Sequence, residues 1–191
     1  MTAEYQMNLP FQTLETASPE GKAVLEKAKA QVGFIPNMYA GMVNSPALLE
    51  TYLDGYSRFR NDSGFTSVEQ EVVFLTISRN NGCGYCMAAH SMLADMKSGV
   101  PAEVTEAIRD GRDIADPKLA ALNTFTNKMV SSRGLPSKAD VSAFLAAGYE
   151  ERHVLDIVLA ISVKTLSNYS NHLFHTPVDE MFAGRAWNAA A

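Results

Sequence analysis

"SVEQEVVFLTISRNNGCGYCMAAH", residues 67–90, decides how this chain reads. Val68, Val72, Leu75 and Ser78 recur at helical spacing, and Val73, Phe74 and Ile77 make the rest of the same stretch apolar, so a helix buried nearly all round is predicted. Thr66 with Glu69 three residues later forms a capping box that opens this helix. "NNG" at 80–82 ends it near Asn80, and a second helix starts at or near Cys83 and runs to about Ser98.

Working outward, helical spacing continues and the alternating period of strands is missing, which predicts an all-α chain. An extended arm, 1–17, precedes a helix over 19–31 marked by Ser18, Pro19 and Gly33. A short helix follows Pro36, and longer ones are expected at 46–59, 102–110, 116–132, 137–147 and 150–166. The segment 168–182, "NYSNHLFHTPVDEMF", reads as two short helices, the second capped by Thr176 with Pro177 in its first turn. No linker composition divides the 191 residues, so one domain spanning 1–191 is expected.

Composition excludes several functions. The net charge is −5 and no Lys/Arg cluster occurs, which removes the footprint of a nucleic-acid or anionic-membrane partner. The apolar run 154–163 is too short to span a bilayer and is interrupted by Asp156. The amino terminus lacks a basic then apolar signal region, so a cytoplasmic protein is expected. In a reducing cytosol the two cysteines, Cys83 and Cys86, read as redox-active or metal-binding in preference to a permanent staple.

A long-range similarity adds a structural expectation. Shifted by 82 positions, 67–90 falls on 149–172, matching Glu69 to Glu151, Val72 to Val154, Leu75 to Ile157 and His90 to His172. Thr165 and Asn168 stand where the first copy has Cys83 and Cys86. Two related helix pairs, 66–98 and 149–182, only one bearing thiols, are predicted.

On a helix, Cys83, Cys86 and His90 share one face, so the thiols lie close enough to bridge. A thiol in the first turn also feels the positive helix end, which by itself favours Cys83 as the more acidic thiol. A structural zinc site needs four ligands, and no second C-x-x-C is present; His172 and His175 supply a pair only through the fold. Zinc, inert thiols and a reactive pair all remain open at this point. Glu71 lies on the buried helix two residues beyond the capping Glu69. Its desolvation is expected to raise its pKa toward that of a general base, with His90 as partner, unless it points to a rim and bonds a backbone amide. Tyr85 is an auxiliary candidate, to donate to a sulfur or a substrate oxygen or simply to pack. Met38, Met42, Met87 and Met92 suggest an adaptable apolar pocket for an organic substrate. His153, His172 and His175 read as core or subunit contacts.

These residues carry a resemblance. "EVVFLTISRNNGCGYCMAAH", with Glu71 twelve residues before Cys83 and His90 four after Cys86, resembles the active-site segment of the carboxymuconolactone decarboxylase superfamily, in its alkyl hydroperoxidase D (AhpD) branch. "GFIPNMYAGMVNSPALL" (33–49) and 168–182 also resemble its peroxidase-related members. The resemblance implies an all-α, single-domain AhpD-like fold and a homo-oligomer, trimer or hexamer. It implies a thiol peroxidase, without metal or other cofactor, that reduces alkyl hydroperoxides or hydrogen peroxide and is restored by a dithiol reductant such as a lipoyl or thioredoxin-like protein. It assigns Glu71 to act through a water on His90, Cys86 to attack and pass through sulfenic acid, and Cys83 to resolve it to a disulfide. Tyr85 stands where that branch carries a histidine between its cysteines. A lactone or keto acid decarboxylase using Glu71 and His90 is the alternative enzyme, and a zinc-stabilised or redox-sensing oligomer the non-catalytic one.

Overall fold

The structure, a computed structural model, describes residues 3–188, so the first two residues of the expected arm lie outside it. Every regular element among these residues is helical. Helices α1 (Pro19–Val32), α2 (Asn37–Met42) and α3 (Pro46–Asp62) are followed by α4 (Ser67–Asn80) and α5 (Gly84–Leu93). A π-helical turn, Ala94–Ser98, extends α5; then come α6 (Ala102–Asp110), α7 (Pro117–Ser131), α8 (Lys138–Ala146) and α9 (Glu151–Phe174), and a 3₁₀ helix at Glu180–Arg185.

Local chemistry sets most boundaries where the sequence placed them. Ser18 Oγ accepts the Gly21 amide at 3.1 Å, and Gly33 ends α1 in the left-handed region at φ 88°. Thr66 and Glu69 form the predicted reciprocal box at the start of α4. Between α4 and α5 the chain turns through Gly82 at φ 66°, a conformation costly for a residue with a Cβ.

The core is organised around α4. Residues Val72 to Leu75 and Ile77 are fully buried, and α5, α6, α7 and α9 pack around the helix. That arrangement explains why α4 is apolar on every side: a helix surrounded by helices has no solvent face. The arm reaches back across α2 and α9, where the Met7 amide donates to the Leu173 carbonyl at 2.8 Å and Phe11 packs on Phe174.

Three expectations fail in the last third of the chain. The helix predicted to stop near 166 continues unbroken to Phe174, and 149–182 is therefore not a second helix pair. Lys164 occupies the position matched to Gly82, so no turn forms there. The polar run that suggested a break is accommodated within the helix. Thr165 and Ser170 donate to the carbonyls four residues earlier, at 2.8 and 2.7 Å, while other polar side chains turn inward. Thr176 caps nothing: residues 176–179 are irregular, and the 3₁₀ helix starts after Asp179. Among the described residues no helix is long and apolar enough to cross a membrane.

Candidate active site

Four elements deliver the site. α4 brings Glu71, α5 brings Cys86 and His90 with Cys83 at its N-cap, α3 brings Arg60, and α9 brings Lys164, Ser167 and Asn171. Both cysteines are free and buried. Asn171 Nδ2 faces both sulfurs, 3.4 Å from Cys86 Sγ and 3.7 Å from Cys83 Sγ, and Ser167 Oγ lies 3.9 Å from Cys86 Sγ.

The two thiols differ sharply. Burial opposes ionisation of Cys86, yet a hydrogen bond from Cys83, the positive Lys164 and the neighbouring His90 hold its thiol well below the ordinary range. Cys83 is pushed well above that range by the same hydrogen bond and by burial. On this balance Cys86, in place of the helix-start Cys83, is the thiol held toward thiolate. Hydrogen bonding between the two sulfurs and the charge contributed by α9 outweigh position on the helix.

Glu71 is fully buried, as its setting in the sequence predicted, but its pKa moves the other way. Burial alone would raise it; His90 and the Arg60 guanidinium outweigh burial and lower it. Its Oε2 lies 2.9 Å from His90 Nδ1, and its Oε1 meets Arg60 and accepts from Ser98 Oγ at 3.3 Å. Contact with the imidazole is direct, where the resemblance had implied a bridging water. An ionised carboxylate only accepts, so Nδ1 carries the proton and Nε2 keeps its lone pair. Burial and the charge of Lys164 lower the His90 pKa despite Glu71, which leaves a neutral imidazole able to receive a proton. Arg60 also donates to Tyr56 Oη at 2.9 Å and Gln70 Oε1 at 3.2 Å and lies over the Phe74 ring.

A cavity of about 680 Å³ opens on this cluster. Its walls are largely aromatic and apolar, with Tyr39, Tyr52, Tyr56, Met92 and Phe182 among them, and Cys86, His90 and Lys164 face it. Cys86 borders the cavity; Cys83 does not. Of the four methionines expected to form a pocket, Met38 and Met92 line it, while Met42 and Met87 are packed in the core. Tyr85 lines it too, but its hydroxyl is bonded to Asp179 and reaches neither sulfur, anchoring the segment before the 3₁₀ helix.

The remaining histidines stand apart from the sulfur pair's hydrogen bonds. His153 accepts the Glu150 amide at 2.9 Å, His175 Nε2 contacts the Ala3 carbonyl at 2.7 Å, and His172 stacks against Tyr169. Among the described residues no group of three or more His, Cys, Asp or Glu is placed to hold a metal ion.

The contribution of α9 was missed in the sequence. Lys164, Ser167, Asn168 and Asn171 are all buried, and their spacing of three, four and seven puts them on one helix face. A polar stripe at that spacing in an otherwise apolar helix was the available signal. Asn168 Oδ1 accepts from Asn81 Nδ2 at 2.9 Å, tying this stripe to the turn that carries Cys83.

Residues 46–128 match the carboxymuconolactone decarboxylase family. No curated protein matches the chain. Among solved structures, it is similar to an uncharacterized peroxidase-related protein from Ralstonia eutropha JMP134 with an alkylhydroperoxidase AhpD core, at 20% identity and a TM-score of 0.80, covering 97% of this chain and 100% of that one. A peroxidase-related protein from Silicibacter sp. TM1040 is similar at 19% identity and a TM-score of 0.77, covering 96% and 97% of the two chains. The debrominase Bmp8, in a cysteine-to-alanine form with 2,3,4-tribromopyrrole, is similar at 17% identity and a TM-score of 0.74, covering 94% and 97%. At these identities the likeness establishes the fold. The fold is AhpD-like, and the match to the carboxymuconolactone decarboxylase family, over 46–128, runs through α4 and α5, the helices that carry Glu71, Cys86 and His90.

Proposed function

We propose that this chain is a dithiol peroxidase that reduces organic hydroperoxides. One observation carries the reading: of two adjacent free thiols, the one held toward thiolate faces a large apolar cavity while its protonated partner sits behind it.

His90 receives the Cys86 proton at Nε2, with Glu71 fixing the imidazole from the other side. The Cys86 thiolate attacks the terminal oxygen of R–O–O–H. An S–O bond forms, the O–O bond breaks, and sulfur is oxidised to sulfenic acid as the alcohol leaves. The Cys83 thiol then attacks Cys86 Sγ and expels water, closing the disulfide. A lipoyl or thioredoxin-like dithiol returns both sulfurs to thiols. Asn171, donating toward both sulfurs, holds the pair together through the cycle.

The test is consumption of cumene hydroperoxide by the purified protein with dihydrolipoamide or reduced thioredoxin. Turnover is expected, and Cys86→Ser and Cys83→Ser should each abolish it. Unchanged turnover in either variant removes the role given to that sulfur. Release of bromide from bromopyrroles without peroxide consumption would replace peroxide by an organohalide as oxidant of the same pair. Carbon dioxide release from a lactone acid by a variant lacking both thiols would support decarboxylation instead.

A further inference from the structure

One buried cation takes no part in the proton transfers above. Lys164 is fully buried, and its Nζ has no hydrogen-bond partner among the described residues. Burying an amine is costly, and the charge it sets against Cys86 and the Phe74 ring, 5.4 Å from Nζ, offset part of that cost. The group borders the same cavity as Cys86.

Peroxide cleavage creates a need that this amine meets. When Cys86 takes the terminal oxygen, the departing alkoxide requires a proton. Other polar groups around the cavity are committed or unsuited. Arg60 is bound to Glu71, Tyr56 and Gln70, and a guanidinium does not give up its proton in a protein. Burial raises the pKa of Tyr39, Tyr52 and Tyr56, making them poorer acids. His90 acts as the base for Cys86. Lys97 is exposed at the rim.

We infer that Lys164 is a catalytic acid: from the cavity wall it protonates the oxygen that leaves when Cys86 attacks an organic hydroperoxide. This rests on the peroxidase reading. The atoms balance without another reactant. The thiol proton of Cys86 passes to His90, Lys164 gives a proton to RO⁻ to form the alcohol, and His90 then restores Lys164, leaving sulfenic acid and alcohol. It also names a substrate class: hydroperoxides whose leaving group is a basic alkoxide, in preference to peracids, whose carboxylate leaves unaided.

The test compares single-turnover oxidation of the reduced protein by tert-butyl hydroperoxide and by peracetic acid. Lys164→Arg keeps a charge but cannot donate the proton, and Lys164→Met removes both. In each variant the rate with tert-butyl hydroperoxide should fall further than that with peracetic acid, by a ratio on the order of 100. Equal losses with the two oxidants would overturn the assignment and leave Lys164 acting only through the Cys86 charge. The unaltered protein supplies a second measurement should the variants not fold. Across hydroperoxides and peracids of graded leaving-group basicity its rate should vary less steeply than that of dithiothreitol thiolate, and an equally steep dependence overturns the proposal. An unaltered protein that reacts with neither oxidant sinks the peroxidase reading itself, a separate outcome.

Discussion

Glu71→Gln removes one charge from a buried cluster while keeping the side-chain volume, so its effect measures electrostatics with little contribution from a cavity. The carboxylate side chain is 1% exposed, against 18% for Arg60 and 5% for His90, so solvent screens the cluster weakly. Breaking a buried pair from one side costs about 3–5 kcal/mol, because the partner charge remains buried. Here Arg60 keeps Tyr56, Gln70 and the Phe74 and Tyr56 rings, which argues for the lower end, about 3 kcal/mol. For a chain of this size that corresponds to a Tm lower by roughly 6–12 °C. The pH dependence has a definite sign. Glu71 is held below its ordinary value of 4.5, so its contribution is present above that pH and is lost as pH falls through the folded value. The variant should therefore be less stable at pH 7 and lose less on acidification. Urea unfolding at pH 7 and pH 4, followed by circular dichroism, measures both. A loss under 1 kcal/mol at pH 7 would refute the picture of a buried, charge-paired carboxylate.

Asn171→Leu deletes the donor facing both sulfurs, and loss of a hydrogen bond to a charged group should raise the Cys86 pKa. The pH profile of its alkylation by iodoacetamide reports the shift, and an unmoved profile contradicts it. In the unaltered protein, the same reagent should modify Cys86 at a pH below the ordinary thiol range and Cys83 only above it, as read by peptide mapping; the reverse order would transfer the nucleophile to Cys83. Thr66→Ala removes the box at the start of α4 and should cost about 1 kcal/mol in urea unfolding with no change in the Cys86 profile.

What the sequence disclosed was what local spacing controls. The helix starts at Ser18 and Thr66 and the turn at Gly82 are set by neighbours a few residues away, and each has a side-chain or backbone signature. Cys83, Cys86 and His90 fall on one element for the same reason. The continuity of α9 was hidden because Asn, Ser and Thr favour caps and turns in isolation, whereas here inward packing and back-bonding retain them in the helix. Long-range partners were equally hidden. Arg60 and Lys164 come from α3 and α9, and nothing in the spacing of 67–90 points to either. Burial of Glu71 was legible from its apolar surroundings, but the sign of its shift depended on Arg60 and His90.

The most direct test is thiol mapping by mass spectrometry after one equivalent of cumene hydroperoxide, with dimedone present to trap sulfenic acid. The account predicts a dimedone adduct on Cys86 at early times and a Cys83–Cys86 disulfide later, with the adduct alone persisting in Cys83→Ser. An adduct on Cys83, or two thiols left untouched by the hydroperoxide, would contradict it.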